Sequence, residues 1–425
     1  MDTLQIAGKE YAPRVLDQAL QQALSISGAV VIEGARACGK TMTALNAAGS
    51  FAFIDDPSSQ QLLEIAPDSL LDGDAPRLLD EWQLAPELWN LVRRRVDAAV
   101  DPGRFILTGS AVPADDATRH TGAGRFLRLH QRTLSWWEKQ QRPAGGVSLA
   151  SLFAGERPVA SADSALDLES VIALVLQSGF PAMAGLEPQQ SAQLLRAYIG
   201  EVARTDIHRL ANIRQDPETI TGLITALART VSSETKYSTL ATDLRTTAPS
   251  ITAESVRTYV SLLQRLFIVE EQLAWTPKLR SRARLRTSPK LHLVDPALAA
   301  AALGADTKRL RGDLETLGLL FESAAVHDLN IYASALEGEV RHYRDSNGKE
   351  IDAVITLPDS RWAAIEVKLG GLQIPKALKS LTSAVSEIEP AASGQPSFKL
   401  IITGNGPTLT LDDGTITCPL ATLKP

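Results

Sequence analysis

Residues 29–41 read AVVIEGARACGKT. The first five form a short apolar, β-branched run, the signature of a strand buried on both faces. The next eight match G-x-x-x-x-G-K-[ST], and TMTALNAA then reads as a helix. A strand, a glycine-bounded loop and a helix in that order make a cradle for phosphate. Gly34, Ala35, Arg36, Ala37, Cys38 and Gly39 present backbone N–H groups, with Lys40, Thr41 and Met42 opening the helix. Lys40 brings positive charge to the β- and γ-phosphates, and Thr41 offers a hydroxyl to Mg²⁺. Cys38 reads as loop filler.

Working outward, VLDQALQQALS (15–25) has helical spacing. FAFID (51–55), PRLLDE (76–81) and RFILTGS (104–110) are strand-like, and PELWNLVRRRVDAAV (86–100) is an amphipathic helix. Alternating strands and helices predict an α/β block with a parallel sheet, closing near residue 140. In LLDE, Asp80 is placed to hold Mg²⁺ and Glu81 to prepare a water. RFILTGS puts the hydroxyls of Thr108 and Ser110 at a strand exit, and GAGRF sets Arg125 on a glycine-rich turn. Such an arginine stabilises transition-state charge in cis or in a neighbouring subunit, or simply anchors a surface loop.

The chain has 425 residues and two cysteines, with 44% apolar and 22% charged residues. About 150 residues per domain gives about three domains. We expect an ATPase domain at 1–150, a helical, winged-helix-like domain at 151–305 and a further α/β domain at 306–425. QRPAGGV and AGERPVASADSA (141–165) read as a linker. The composition excludes disordered and coiled-coil classes, and two distant cysteines exclude a disulfide framework. No apolar run is long enough for a transmembrane helix and no secretory signal is visible, so a cytoplasmic location without a membrane partner is expected.

The net charge of −6 conceals a basic module: residues 236–292 hold ten Lys/Arg against four Asp/Glu, a net +6, leaving −12 elsewhere. Within KLRSRARLRTSPK (278–290), Arg280, Arg282, Arg284 and Arg286 repeat with period two and would share one face of a strand. A helix–turn–helix pattern precedes it, with Arg257, Tyr259 and Arg265 on the second helix. That pairing suits DNA, with a helix in the groove and a basic wing on phosphates. A hairpin facing protein remains the alternative.

In GKEIDAVITLPDSRWAAIEVKLG (348–370), Asp352 lies on one strand and Glu366 and Lys368 share a face of the next. Two carboxylates and a lysine can hold a divalent metal for phosphodiester attack. Gln373 is a weaker auxiliary candidate. His342 and Tyr343 read as strand-surface residues and Trp136 and Trp137 as packing residues; Arg204 and Asp206 could reach the nucleotide as lid residues, but the ordinary structural reading is preferred. His208, His292 and His327 have no metal-ligand spacing.

GARACGKT, FIDDP, LLDEWQLAPELW, GRFILTGS, GAGRF, SGFPAM, SPKLHLVD and GKEIDAVI–IEVKLG together resemble the prokaryotic AAA-type ATP-binding proteins with a C-terminal domain of unknown function. The resemblance covers nearly the whole chain. It implies an AAA-type P-loop NTPase domain, a winged-helix-like module, and an α/β fold similar to the PD-(D/E)XK nuclease superfamily. It makes Lys40 and Thr41 Walker A residues, Asp80 and Glu81 Walker B residues, Thr108 and Ser110 the sensor strand, and Arg125 an arginine finger. Glu322 matches that superfamily's helix glutamate. The expected ligands are ATP, ADP and Mg²⁺, the expected partner is DNA, and a homo-oligomer would give Arg125 a neighbouring site.

Overall fold

The computed structural model describes residues 11–112, 122–140, 145–162, 166–210, 216–277 and 288–425. The chain divides into two compact units. The first holds residues 1–133 with the segments 206–213 and 261–268; the second holds the rest. The helical middle and the C-terminal sheet thus fall in one compact unit, where the sequence suggests two blocks.

The first unit is a five-stranded sheet. Its strands are β1 (Ala29–Glu33), β2 (Ser50–Phe53), β3 (Arg77–Asp80), β4 (Phe105–Gly109) and β5 (Phe126–His130). Their order is β2-β3-β4-β1-β5, and every pairing is parallel. Side chains alternate across the sheet, so β1 feeds two cores. Ala29 and Val31 join Leu79, Leu107 and α4 (Leu88–Asp97) on one face. Val30 and Ile32 join Leu78, Ile106, α1 (Leu16–Ile26) and α2 (Lys40–Ala47) on the other. The helix α3 (Pro57–Ile65) follows β2. β5 is absent from the sequence reading. It is a half-exposed edge strand without a continuous apolar run.

The second unit contains a six-stranded sheet in the order β13-β14-β12-β11-β10-β9. The strands are β9 (Glu339–Arg344), β10 (Glu350–Thr356), β11 (Trp362–Gly370), β12 (Phe398–Asn405), β13 (Leu409–Thr410) and β14 (Ile416–Pro419). β9, β10 and β11 form an antiparallel meander; β11 runs parallel to β12, joined by the helix Ile374–Ser386. Ala377, Leu381 and Ala384 of that helix pack on Ile351, Val354, Trp362 and Ile401. The long helix Leu314–Ser334 precedes β9.

Within the same unit, β7 (Val269–Gln272) and β8 (Lys290–Leu293) form an antiparallel pair. The helices Tyr237–Leu244 and Ala253–Arg265 precede it. The expected linker is partly structured: β6 (Val147–Ser148) pairs with β15 (Leu423–Lys424), and the helix Leu149–Phe153 follows β6. Among the described residues, no helix is long and apolar enough to cross a membrane.

Candidate functional site

Because β4 lies between β1 and β3, the C-terminal ends of these three strands reach one edge of the sheet together. The phosphate loop, the Asp80–Glu81 pair and the Thr108–Ser110 exit are therefore neighbours. Ligand sites in parallel α/β sheets form at this edge. Gly39 adopts φ 104° at the start of α2, a left-handed conformation favoured by glycine. Gly34 passes so close to β5's exit that a Cβ there would sit 2.1 Å from the Gln131 carbonyl oxygen.

The loop is braced from outside the motif. Buried Arg14 donates from Nη1 to the Cys38 carbonyl at 3.1 Å and from Nη2 to that of Arg132 at 2.9 Å. The Cys38 thiol is buried and points to the Gln131 carbonyl at 3.2 Å, in keeping with a filler role. Lys40 is buried, with Nζ donating to the Gly34 and Ala35 carbonyls at 3.0 and 2.8 Å. Arg36 pairs with Asp206 at 2.9 Å, so one of the two lid candidates does reach a residue of the loop.

Asp80 is the hub. Its Oδ1 accepts from Thr41 Oγ1 at 2.9 Å and from Thr108 Oγ1 at 2.5 Å. Burial pushes the Asp80 carboxyl up, opposed by the hydrogen bonds from Thr108 and Thr41 and by Lys40. A bound cation would relieve that penalty. The Thr41 hydroxyl and Asp80 carboxylate, in direct contact beside the phosphate loop, fit a hard cation that takes oxygen ligands.

Glu81 has φ 55°, an unusual conformation for a non-glycine residue, and its N–H donates to Thr108 Oγ1 at 3.2 Å. Its Oε2 accepts from Ser110 Oγ at 2.9 Å and from Gln83 Nε2. Gln83 also donates to Ser110 at 3.2 Å, closing the set. Sequence reasoning passed over Gln83, Arg14 and Gln131; only Gln83, in DEWQ, lay near a recognised motif.

Arg125 needs correction as a cis residue. It precedes Phe126, which pairs with Ala29 at the opening of β1, whereas the phosphate loop follows Glu33 at the other end. Four strand residues separate the two ends by about 13 Å, and the Arg125 guanidinium is held by Asp97.

The second unit gathers the other predicted group. Asp352 on β10 accepts the Val367 N–H at 2.8 Å and lies 3.5 Å from Lys368 Nζ. Lys368 also bonds Glu366 Oε1 at 2.8 Å. Glu322, on the helix Leu314–Ser334, is bonded at 2.8 Å by Lys290 from β8. Burial and Asp352 push the carboxyls of Glu322 and Glu366 up to about 7. Burial works against the Lys290 charge, but Glu322 and Asp352 outweigh it and hold it protonated.

Glu322, Asp352, Glu366 and Lys368, expected as a metal set, are brought together here. Among the described residues no three His, Cys, Asp or Glu are spaced to hold an ion. Two ammonium groups bond this carboxylate set instead. Gln373 lines a neighbouring groove of about 850 Å³, together with Glu322 and Lys368.

Other expectations change. His342 is buried rather than on the surface, and burial pushes it down to about 4. Tyr259 is buried and Arg265 donates to the Val112 carbonyl at 2.9 Å, leaving only Arg257 of the three exposed. Arg280, Arg282, Arg284 and Arg286 lie outside the described residues. Trp136 packs edge-on against Phe321.

Three family models match the chain. An AAA domain covers residues 27–139. The first unit carries an AAA-type P-loop domain. Domains of unknown function cover 168–309 (DUF8612) and 317–423 (DUF4143). None of the curated proteins matches the chain. Among solved structures, the chain is similar to the Walker-type ATPase PABY2304 of Pyrococcus abyssi. Identity is 14% and the TM-score 0.41, over 67% of this chain and 94% of that one.

Proposed function

We propose that this protein is a Mg²⁺-dependent ATP hydrolase whose nucleotide state is coupled to a DNA-directed second unit. The observation that carries the ATPase reading is the Thr41–Asp80–Thr108 triad beside Glu81 held by Ser110 and Gln83. The loop backbone and Lys40 would bind the triphosphate, and Thr41 and Asp80 would hold Mg²⁺, which neutralises phosphate charge. Glu81, fixed at its carboxylate, would orient the attacking water and take its proton. Lys40→Ala is expected to abolish turnover; wild-type turnover in that variant would refute the assignment.

Support for DNA comes from the +6 module and from a helix–turn–helix followed by the antiparallel β7–β8 pair. Stimulation of ATP hydrolysis by DNA supports coupling; indifference to single- and double-stranded DNA opposes it. Replacing Arg280, Arg282, Arg284 and Arg286 by alanine should weaken binding and flatten its salt dependence.

The helix, meander, crossover helix and parallel strand around Glu322, Asp352, Glu366 and Lys368 support a nuclease-like fold. The lysine-filled carboxylate set favours a second reading, a nucleotide-gated scaffold whose nuclease-like domain is degenerate. Arg125 would serve a neighbouring subunit of a homo-oligomer, testable by sedimentation with ATP and with ADP, or anchor its surface loop through Asp97. A cytoplasmic setting accords with ATP as ligand.

A further inference from the structure

We infer that Lys290 is the resident cation of the carboxylate cluster in the second unit, and that this site takes no divalent metal while Lys290 is in place. The inference builds on the nuclease-like reading only in treating Glu322, Asp352, Glu366 and Lys368 as one set.

Lys290 does not behave as a surface lysine. Its side chain is 8% exposed and its Nζ is 2.8 Å from Glu322 Oε1. The backbone fixes it there. Lys290 pairs with Gln272 across the β7–β8 hairpin, and Gln272 Nε2 donates to the Asp352 carbonyl at 2.8 Å. Just beyond β7, the Trp275 N–H donates to the His342 carbonyl at 2.6 Å, and the His342 N–H to Leu273 at 3.0 Å. The base of the hairpin is thereby stitched to β9 and to β10, which carries Asp352 and lies beside β11 with Glu366 and Lys368.

Charge explains the consequence. Glu322, Asp352 and Glu366 supply three negative charges when ionised, and Lys290 and Lys368 supply two positive ones, leaving −1. A divalent ion entering this set would lie against two ammonium groups that already bond its carboxylates, which is unfavourable in a largely buried place. Removing the Lys290 charge makes the set −2, which a divalent ion neutralises. An acceptor is ready: Glu366 is buried, and its Oε2 has no hydrogen-bond partner while Oε1 is on Lys368. Access does not limit entry, because Glu322 and Lys368 line the 850 Å³ groove.

The test is Mn²⁺ binding to the full chain without nucleotide, followed by electron paramagnetic resonance. Asp80→Asn is included in every protein to remove the phosphate-loop site. With Lys290 present, the expected result is no Mn²⁺ site sensitive to Asp352→Asn. Lys290→Met should bind one Mn²⁺ at least about tenfold more tightly, and lose that gain on adding Asp352→Asn. Lys290→Gln, which keeps a donor for Glu322, is the second variant should the methionine variant not fold.

An Asp352-dependent Mn²⁺ site in the chain that retains Lys290 would overturn the inference, whatever the variants do. So would a folded Lys290 variant with no gain in binding. Failure of DNA to affect ATP hydrolysis would count against the functional reading above and leave this result standing.

Discussion

Replacing Thr108 by valine removes one hydroxyl and keeps the shape of the side chain. Thr108 is fully buried, donates to Asp80 at 2.5 Å and accepts the Glu81 N–H at 3.2 Å. The variant loses a bond to an ionised carboxylate and strands a backbone donor. Together these cost about 3 kcal/mol, since a charged bond contributes roughly 2 and an unmet donor roughly 1 or more. Amide hydrogen exchange in β3 and β4 reads the first unit alone. A loss of 3 kcal/mol there raises local opening by about 100-fold. Thr108→Ser keeps the hydroxyl and should recover most of the protection. ATP turnover should fall in the valine variant, because Asp80 and Glu81 both lose their fixed positions. Exchange within threefold of wild type, with normal turnover, would refute the view that Thr108 organises the site.

The loop makes a second, steric prediction. Gly34→Ala puts a methyl group 2.1 Å from the Gln131 carbonyl oxygen, so the loop must move and binding of a fluorescent ATP analogue should be lost. A pH prediction concerns the second unit. Burial, aided by Lys290, pushes His292 down to about 3 from 6.5, while its ring nitrogens face Ser323 and Gln272. A depressed histidine contributes stability above pH 6.5 that is lost as pH falls towards 3, at up to about 1.4 kcal/mol per pH unit. The raised carboxyls of Glu322 and Glu366 act in the opposite sense between about 4.5 and 7. The measurement is therefore the difference between wild-type and His292→Gln denaturation curves across pH, which should shrink as pH falls.

The phosphate-loop edge of the first unit is largely legible in the sequence because its determinants are local. AVVIE is a buried strand on both faces, GARACGKT carries its own turn geometry, and LLDE ends a strand at the right side chains. β5 is hard to read because FLRLH is short, half-exposed and at the sheet edge. Arg14 and Gln131 escaped because they act on the loop from more than 20 and 90 residues away. In the second unit, Asp352, Glu366 and Lys368 were readable from period-two spacing on a hairpin. Lys290 reads in the sequence as one more basic residue of a wing. Its destination, beside Glu322, depends on how β7 and β8 dock on β9 and β10, which strand periodicity does not encode.

The central claim is that Glu81, held by Ser110 and Gln83 beside the phosphate loop, prepares water for ATP hydrolysis. The direct measurement compares steady-state ATP turnover and ATP affinity in wild type and Glu81→Gln with Mg²⁺. The account predicts retained ATP binding with turnover reduced by about 100-fold or more. Turnover at the wild-type rate in Glu81→Gln would contradict it.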